Sequence, residues 1–163
     1  MLENLINLVK ENAGDSIINN PAIPNERNDE AVGLASSSIL DTLKGAIAGG
    51  NINDVVGMFT NGNNAGSSPL AENMKGGFVQ NLMEKFGLDS AQAANIANNL
   101  IPNILGKFVH KTNDPNDNSF DLQDILQKVS GGSAGGLNIQ DVLSKFNNGK
   151  DGGIMDTVKG FFN

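Results

Sequence analysis

The stretch Ser68-Pro69-Leu70-Ala71-Glu72-Asn73-Met74-Lys75-Gly76-Gly77-Phe78-Val79-Gln80-Asn81-Leu82-Met83-Glu84-Lys85-Phe86-Gly87 holds a whole helix with both ends marked. Ser68 suits the cap, and Pro69 falls at the first helical position, where its missing N–H costs nothing. Leu70, Met74, Phe78, Leu82, Met83 and Phe86 recur at helical spacing and predict one buried stripe. Gly87 supplies a left-handed stop. A self-contained helix here sets the fold class, and the flanking sequence repeats the same grammar.

Downstream, Asp89 with Gln92 reads as a variant capping box opening a helix whose inner face is Ala93, Ile96, Ala97 and Leu100. Pro102 deletes a backbone donor and predicts a kink near Ile101, after which Ile104, Leu105, Phe108 and Val109 carry the helix on. A loop from Lys111 to Asn118 closes the unit. Upstream, Leu2, Leu5, Ile6 and Val9 share one face of a first helix that Gly14 should stop, and Ser16 to Asn20 can add a turn. Pro21 and Pro24 force an extended linker. Asn28 is then the expected cap of a helix with Asp29 and Glu30 at its positive end and Ala31, Leu34, Ala35, Ile39, Leu43 and Ile47 buried, ended by Gly49-Gly50. A short helix opened by Asn51 or Asn53 carries Val55, Val56 and Phe59, and an Asn/Gly/Ser-rich loop spans Asn61 to Ser68.

Three short segments repeat one pattern: Ile52-Asn53-Asp54-Val55-Val56, Leu122-Gln123-Asp124-Ile125-Leu126 and Ile139-Gln140-Asp141-Val142-Leu143. Each leads to an apolar residue and then glycine: Phe59 and Gly62, Val129 and Gly131, Phe146 and Gly149. A larger echo pairs Ala31 to Ile47 plus Ile52 to Gly62 with Ala93 to Phe108 plus Leu122 to Gly131, which suggests duplication. The expected architecture is all-α: a first unit of short amphipathic helices over 1–62, a related one over 63–132, and a tail over 133–163 that joins a Gly-rich linker to short C-terminal helices. Within that tail Gly152-Gly153 precedes an amphipathic helix bearing Ile154, Met155, Val158, Phe161 and Phe162.

Composition narrows the function. Net charge is −7, and 11 basic residues are scattered singly, so no basic stripe offers itself to phosphates. Nucleic acid is therefore not an expected partner. Cysteine is absent, which removes disulfides, thiolate metal sites and cysteine nucleophiles. Gly, Asn or charge interrupts every apolar run well short of a membrane span. Met1 to Ile6 lacks the basic start and long apolar run of a signal peptide, leaving the cytoplasm as the default compartment.

Candidate chemistry is thin. Gly131-Gly132-Ser133-Ala134-Gly135 has the letters of a nucleophile elbow but sits in a glycine linker, without the strand and helix that strain the serine. His110, the one histidine, ends a helix, where a cation meets the dipole favourably; alone it cannot build a zinc site. Asp114-Pro115-Asn116-Asp117-Asn118-Ser119 alternates oxygen-bearing side chains as an EF-hand begins, yet Ser119 stands where glycine is needed and Ile125 where the closing glutamate belongs. Two readings of this loop stand. Asp114, Asn116, Asn118, Asp121 and Asp124 form a calcium site, or the segment is a turn in which Ser119 or Asp121 caps the next helix. The apolar face of Ile154 to Phe162 likewise docks on its own core, on a protein partner or second copy, or on a membrane surface.

Leu5-Ile6-Asn7-Leu8-Val9-Lys10-Glu11 with Pro21-Ala22-Ile23-Pro24-Asn25, Asn98-Asn99-Leu100-Ile101-Pro102-Asn103-Ile104-Leu105, and Gly153-Ile154-Met155-Asp156-Thr157-Val158-Lys159-Gly160-Phe161-Phe162 resemble the bacterial domain-of-unknown-function 937 family, which is related to the YidB-like proteins. The resemblance implies a bacterial helical protein that is homeodomain-like in part, and it brings no catalytic residues or cofactor. Homeodomain likeness implies DNA binding, from which the acidic balance departs. The reading that follows is a non-enzymatic interaction or scaffold module that binds a protein or itself. A calcium- or small-ligand-binding module is the alternative, and an acidic DNA-associated regulator comes third.

Overall fold

A computed structural model of the chain describes residues 1–60 and 62–129. Six α-helices account for most of them: α1 (Leu2–Asn12), α2 (Asn28–Ala48), α3 (Ile52–Thr60), α4 (Pro69–Phe86), α5 (Ser90–Asn113) and α6 (Leu122–Val129). No strand occurs among the described residues, so the expectation of an all-α chain is met. None of these helices is long and apolar enough to cross a membrane.

The predicted caps of α4 and α5 form as local chemistry dictates. The Ser68 hydroxyl accepts from the Ala71 N–H at 3.1 Å and donates to the Ala65 carbonyl at 2.8 Å. Gly87 takes φ +67° and donates its N–H to the Met83 carbonyl. Asp89 Oδ1 accepts from the Gln92 N–H at 2.8 Å. Between Gly49 and Asn51 the chain reverses through Gly50 at φ +83°, a conformation that costs glycine little. The Asn51 carbonyl then receives the first N–H groups of α3.

Three local expectations give way to packing. Gly14 does not stop α1. The helix ends at Asn12, and Gly14–Ile18 winds on as a wide turn in which Ile18 donates to the Ala13 carbonyl, because Ala13 and Ile17 must both reach the core. Asn28 does not cap α2. A tight turn over Asn25–Arg27 feeds straight into the helix, so Asn28 already has helical angles, whereas a capping residue must be extended. The region expected to be a loop after α3 is a 3-10 segment, Gly62–Ser67, laid against α5.

Helix α5 occupies the centre. It continues through Pro102, and Ala93, Ile96, Ala97, Leu100, Ile101, Ile104, Leu105, Phe108 and Val109 are all buried along it. Around it lie α1, α3, α4, the wide turn and the 3-10 segment. On the far side α2 packs against α1, α3, α4 and α6 and buries ten side chains, more than its predicted stripe. Two of these are serines. Ser36 and Ser38 return their hydroxyl protons to the Val32 and Leu34 carbonyls, so burial leaves no donor unmet. Buried side chains from both sides of residue 62 belong to one hydrophobic cluster.

One clasp joins the start of α2 to the end of α4. Arg27 forks onto the Glu30 carboxylate, donates also to the Lys85 carbonyl at 2.9 Å, and lies 4.1 Å over the Phe86 ring. The guanidinium thus completes a helix C-terminus and covers an aromatic face in one position.

Among the described glycines the least room is at Gly66, where a Cβ would meet Pro102 Cβ at 2.8 Å and its Cα at 3.0 Å. Gly66→Ala must push the 3-10 segment off α5, and urea denaturation is expected to show a loss of about 1–3 kcal/mol. Gly76 is exposed in α4 with open space at its Cβ position, so Gly76→Ala should gain about 0.5–1 kcal/mol. A neutral Gly66→Ala would refute the tight contact.

Candidate functional site

The residues between α5 and α6, which the sequence allows as a calcium site or as a turn that caps the next helix, spend much of their polar chemistry on the chain itself. Asp114 follows the last residue of α5, and its Oδ1 accepts from the Asn116 N–H at 2.9 Å, a side-chain turn of the kind aspartate favours. Asn116 and Asn118 are exposed. Asp121 receives the Asp124 N–H on Oδ1 at 3.2 Å and the Ile125 N–H on its backbone carbonyl, so Asp121, rather than Ser119, caps α6. Asp124 lies 3.5 Å from Lys128 one turn on. Among the described residues no three His, Asp or Glu side chains converge as a metal would require.

Asp117 holds the loop together, and the sequence reading did not single it out. Its Oδ1 accepts from the Ser119 N–H, and its Oδ2 faces Lys111 Nζ at 2.9 Å. The Ser119 side-chain hydrogen bond, then Lys111, then the Ser119 N–H hold its carboxyl at about 2, well below the ordinary 3.8. Lys111 is shifted up by the same bond. Two asparagines anchor the loop's surroundings: Asn4 of α1 donates to the Ser119 carbonyl at 2.8 Å, and Asn113 donates to the Phe59 carbonyl at 2.9 Å, closing the end of α3. A bonding partner 115 residues away left no local signature that would have marked Asn4.

Beside the loop lies an open depression of about 620 Å³, lined by Gly62, Gly106, Val109, His110, Asn113 and Asp114. His110 is exposed in the last turn of α5. The lining of the depression includes a histidine, an amide and a carboxylate, the last two already bonded to the chain itself. The other candidate residues, Ser133 and the apolar set Ile154, Met155, Val158, Phe161 and Phe162, lie outside the described residues.

The Asp117 clamp has a defined pH signature. A carboxyl shifted down on folding adds stability that is complete above its unfolded value, near 3.8, and is lost as pH falls toward about 2. Asp117→Asn should therefore lower the melting midpoint by a constant amount at neutral and mildly acidic pH. The gap should close between about pH 4 and pH 2. A carbon-detected NMR titration placing the Asp117 midpoint near 3.8 would contradict the clamp.

No family model, curated protein or solved structure matches this chain.

Proposed function

We propose that this chain is a non-catalytic helical scaffold that binds a protein partner or a second copy of itself through short amphipathic helices. One observation carries the reading: α3 has nine residues and α6 eight, below the roughly 12–15 at which an isolated helix holds its shape in water. Each exists by docking. α3 buries Ile52, Val55, Met58 and Phe59, and α6 buries Leu122, Ile125, Leu126 and Val129. Short helices that fold only when docked are also what binding modules present to grooves. The segment bearing Ile154, Met155, Val158, Phe161 and Phe162 also places its apolar residues at helical intervals and is the interaction face in this reading. The inward bonding of the loop carboxylates supports a structural role for Asp114 to Asp124 over a ligand-binding one.

The test is light scattering and thermal melting on the full chain and on its Phe161→Asp, Phe162→Asp variant. An interaction face predicts that the variant loses particle mass, or loses capture of its partner, with an unchanged melting midpoint. A lowered midpoint at unchanged mass would show that these residues complete the chain's own core and would end the proposal.

A further inference from the structure

Helix α4 carries two rows of side chains, and the fold buries only one. Leu70, Ala71, Met74, Phe78 and Leu82 are buried where α4 packs against α2 and α5. The second row is Glu72, Gly76, Val79, Met83 and Phe86, whose steps of four, three, four and three residues are those of a seam shared by two helices. Glu72 and Gly76 are exposed, and Val79 and Phe86 are half-buried. Met83 is one of three large apolar side chains left exposed among the described residues. A Cβ at Gly76 would meet nothing within 4 Å, so the row holds a gap about 10 Å along the helix from a projecting methionine.

The row contains its own complement when reversed. Gly76 precedes Val79 by three residues and Met83 follows it by four, so an antiparallel copy with Val79 at the two-fold axis sets each Met83 against the other copy's Gly76. Glu72 and Phe86 stand seven residues either side of Val79. Each Glu72 carboxylate, in a side chain 66% exposed, therefore comes to the other copy's Phe86, where the Arg27 guanidinium lies 4.1 Å over the ring and Lys85 is the next residue in the chain. Symmetry supplies each contact twice and closes the pair. A parallel copy would instead stack Met83 on Met83, gap on gap and Glu72 on Glu72. Charge and shape both select the antiparallel arrangement.

We infer that this row of α4 is a self-association face on which two copies of the chain pair as a two-fold, antiparallel dimer. The inference rests on the reading of the chain as a module that binds its own kind, but it places the contact on α4 instead of Ile154 to Phe162. A seam of this length is smaller than a standard interface, so the dimer is weak and forms with rising concentration.

The test is sedimentation equilibrium on the full chain, whose average mass should climb from one chain at low micromolar concentration to two at several hundred micromolar. Met83→Glu removes the projecting side chain, and Gly76→Gln fills the gap that receives it; both should hold the mass at one chain. Glutamine is the better helix former, so Gly76→Gln should melt no lower than the parent in dilute solution, which separates lost pairing from lost folding. Under mild oxidation, Gly76→Cys mixed with Met83→Cys should give a disulfide between the two kinds of chain, and Met83→Cys alone should give little. The absence of native cysteine makes these bonds unambiguous. A single-chain mass at every concentration, a dimer that survives both Met83→Glu and Gly76→Gln, or a cross-link of Met83→Cys to itself in preference to the mixed one would overturn the inference. If the dimer survives those two variants and is lost in Phe161→Asp, Phe162→Asp, the α4 face falls while the wider reading stands.

Discussion

Phe108 lies between two rings presented edge-on, Phe59 at 5.4 Å and Phe120 at 4.9 Å, and this row ties α3, α5 and the approach to α6 into one body. All three rings are buried. Each gains roughly 1.5–3 kcal/mol by leaving water and each edge-on pair about 0.5–1.5 more, in a chain with only eight phenylalanines and neither tyrosine nor tryptophan. The row also fixes the loop. The chain leaves α5 after Asn113 and must return to Phe108 by Phe120, so the six residues between are held in a tight path that Asp114 and Asp117 secure with their own carboxylates.

A second constraint follows from the scarcity of charge. Exposed faces rich in Asn, Ser, Thr and Gly offer little of the side-chain ion pairing that steadies helices, and these residues compete for the backbone. Here their side chains fold back onto the preceding turn: Asn12 onto Leu8, Thr42 onto Ser38, Asn99 onto Asn95, Asn103 onto Asn99, and Thr112 onto Phe108. Such bonds satisfy donors but add little helix preference. Burial must therefore hold the helices, which is why α2 and α5 are covered around much of their circumference and why α3 and α6 exist only where they dock.

The two long-and-short pairs are arranged so that each short helix packs on the other pair's long one, α3 on α5 and α6 on α2. α3 lies also on α2 and α4, while the α6 seat is made chiefly by α2, with Phe120 on Phe108 beside it. That difference in surroundings accounts for the sequence difference between copies. A residue enclosed on several sides must be apolar, as Met58 is, and one at an open edge can be Lys128.

What the sequence determined by itself is everything settled within one helical turn. Ser68 and Asp89 cap because a side-chain oxygen reaches an N–H three residues on, Gly87 reverses because it alone tolerates φ +67° cheaply, and the apolar spacing of α5 names the face that is buried. It does the same for Leu70, Met74, Phe78 and Leu82 of α4, whereas Met83 of the same expected stripe is exposed and Phe86 half-buried. Where a local rule and the core disagreed, the core prevailed: Asn28 was absorbed into α2, and Gly14 became a wide turn so that Ile17 reaches the interior. Only the tertiary structure decided the contacts between distant residues, including Arg27 on Phe86 and Lys85, Asn4 on Ser119, Gly66 on Pro102, and the role of Asp117. The physical reason is that a hydrogen bond or close approach between residues far apart in the chain leaves no periodicity to read, since its geometry is set by how two finished helices cross.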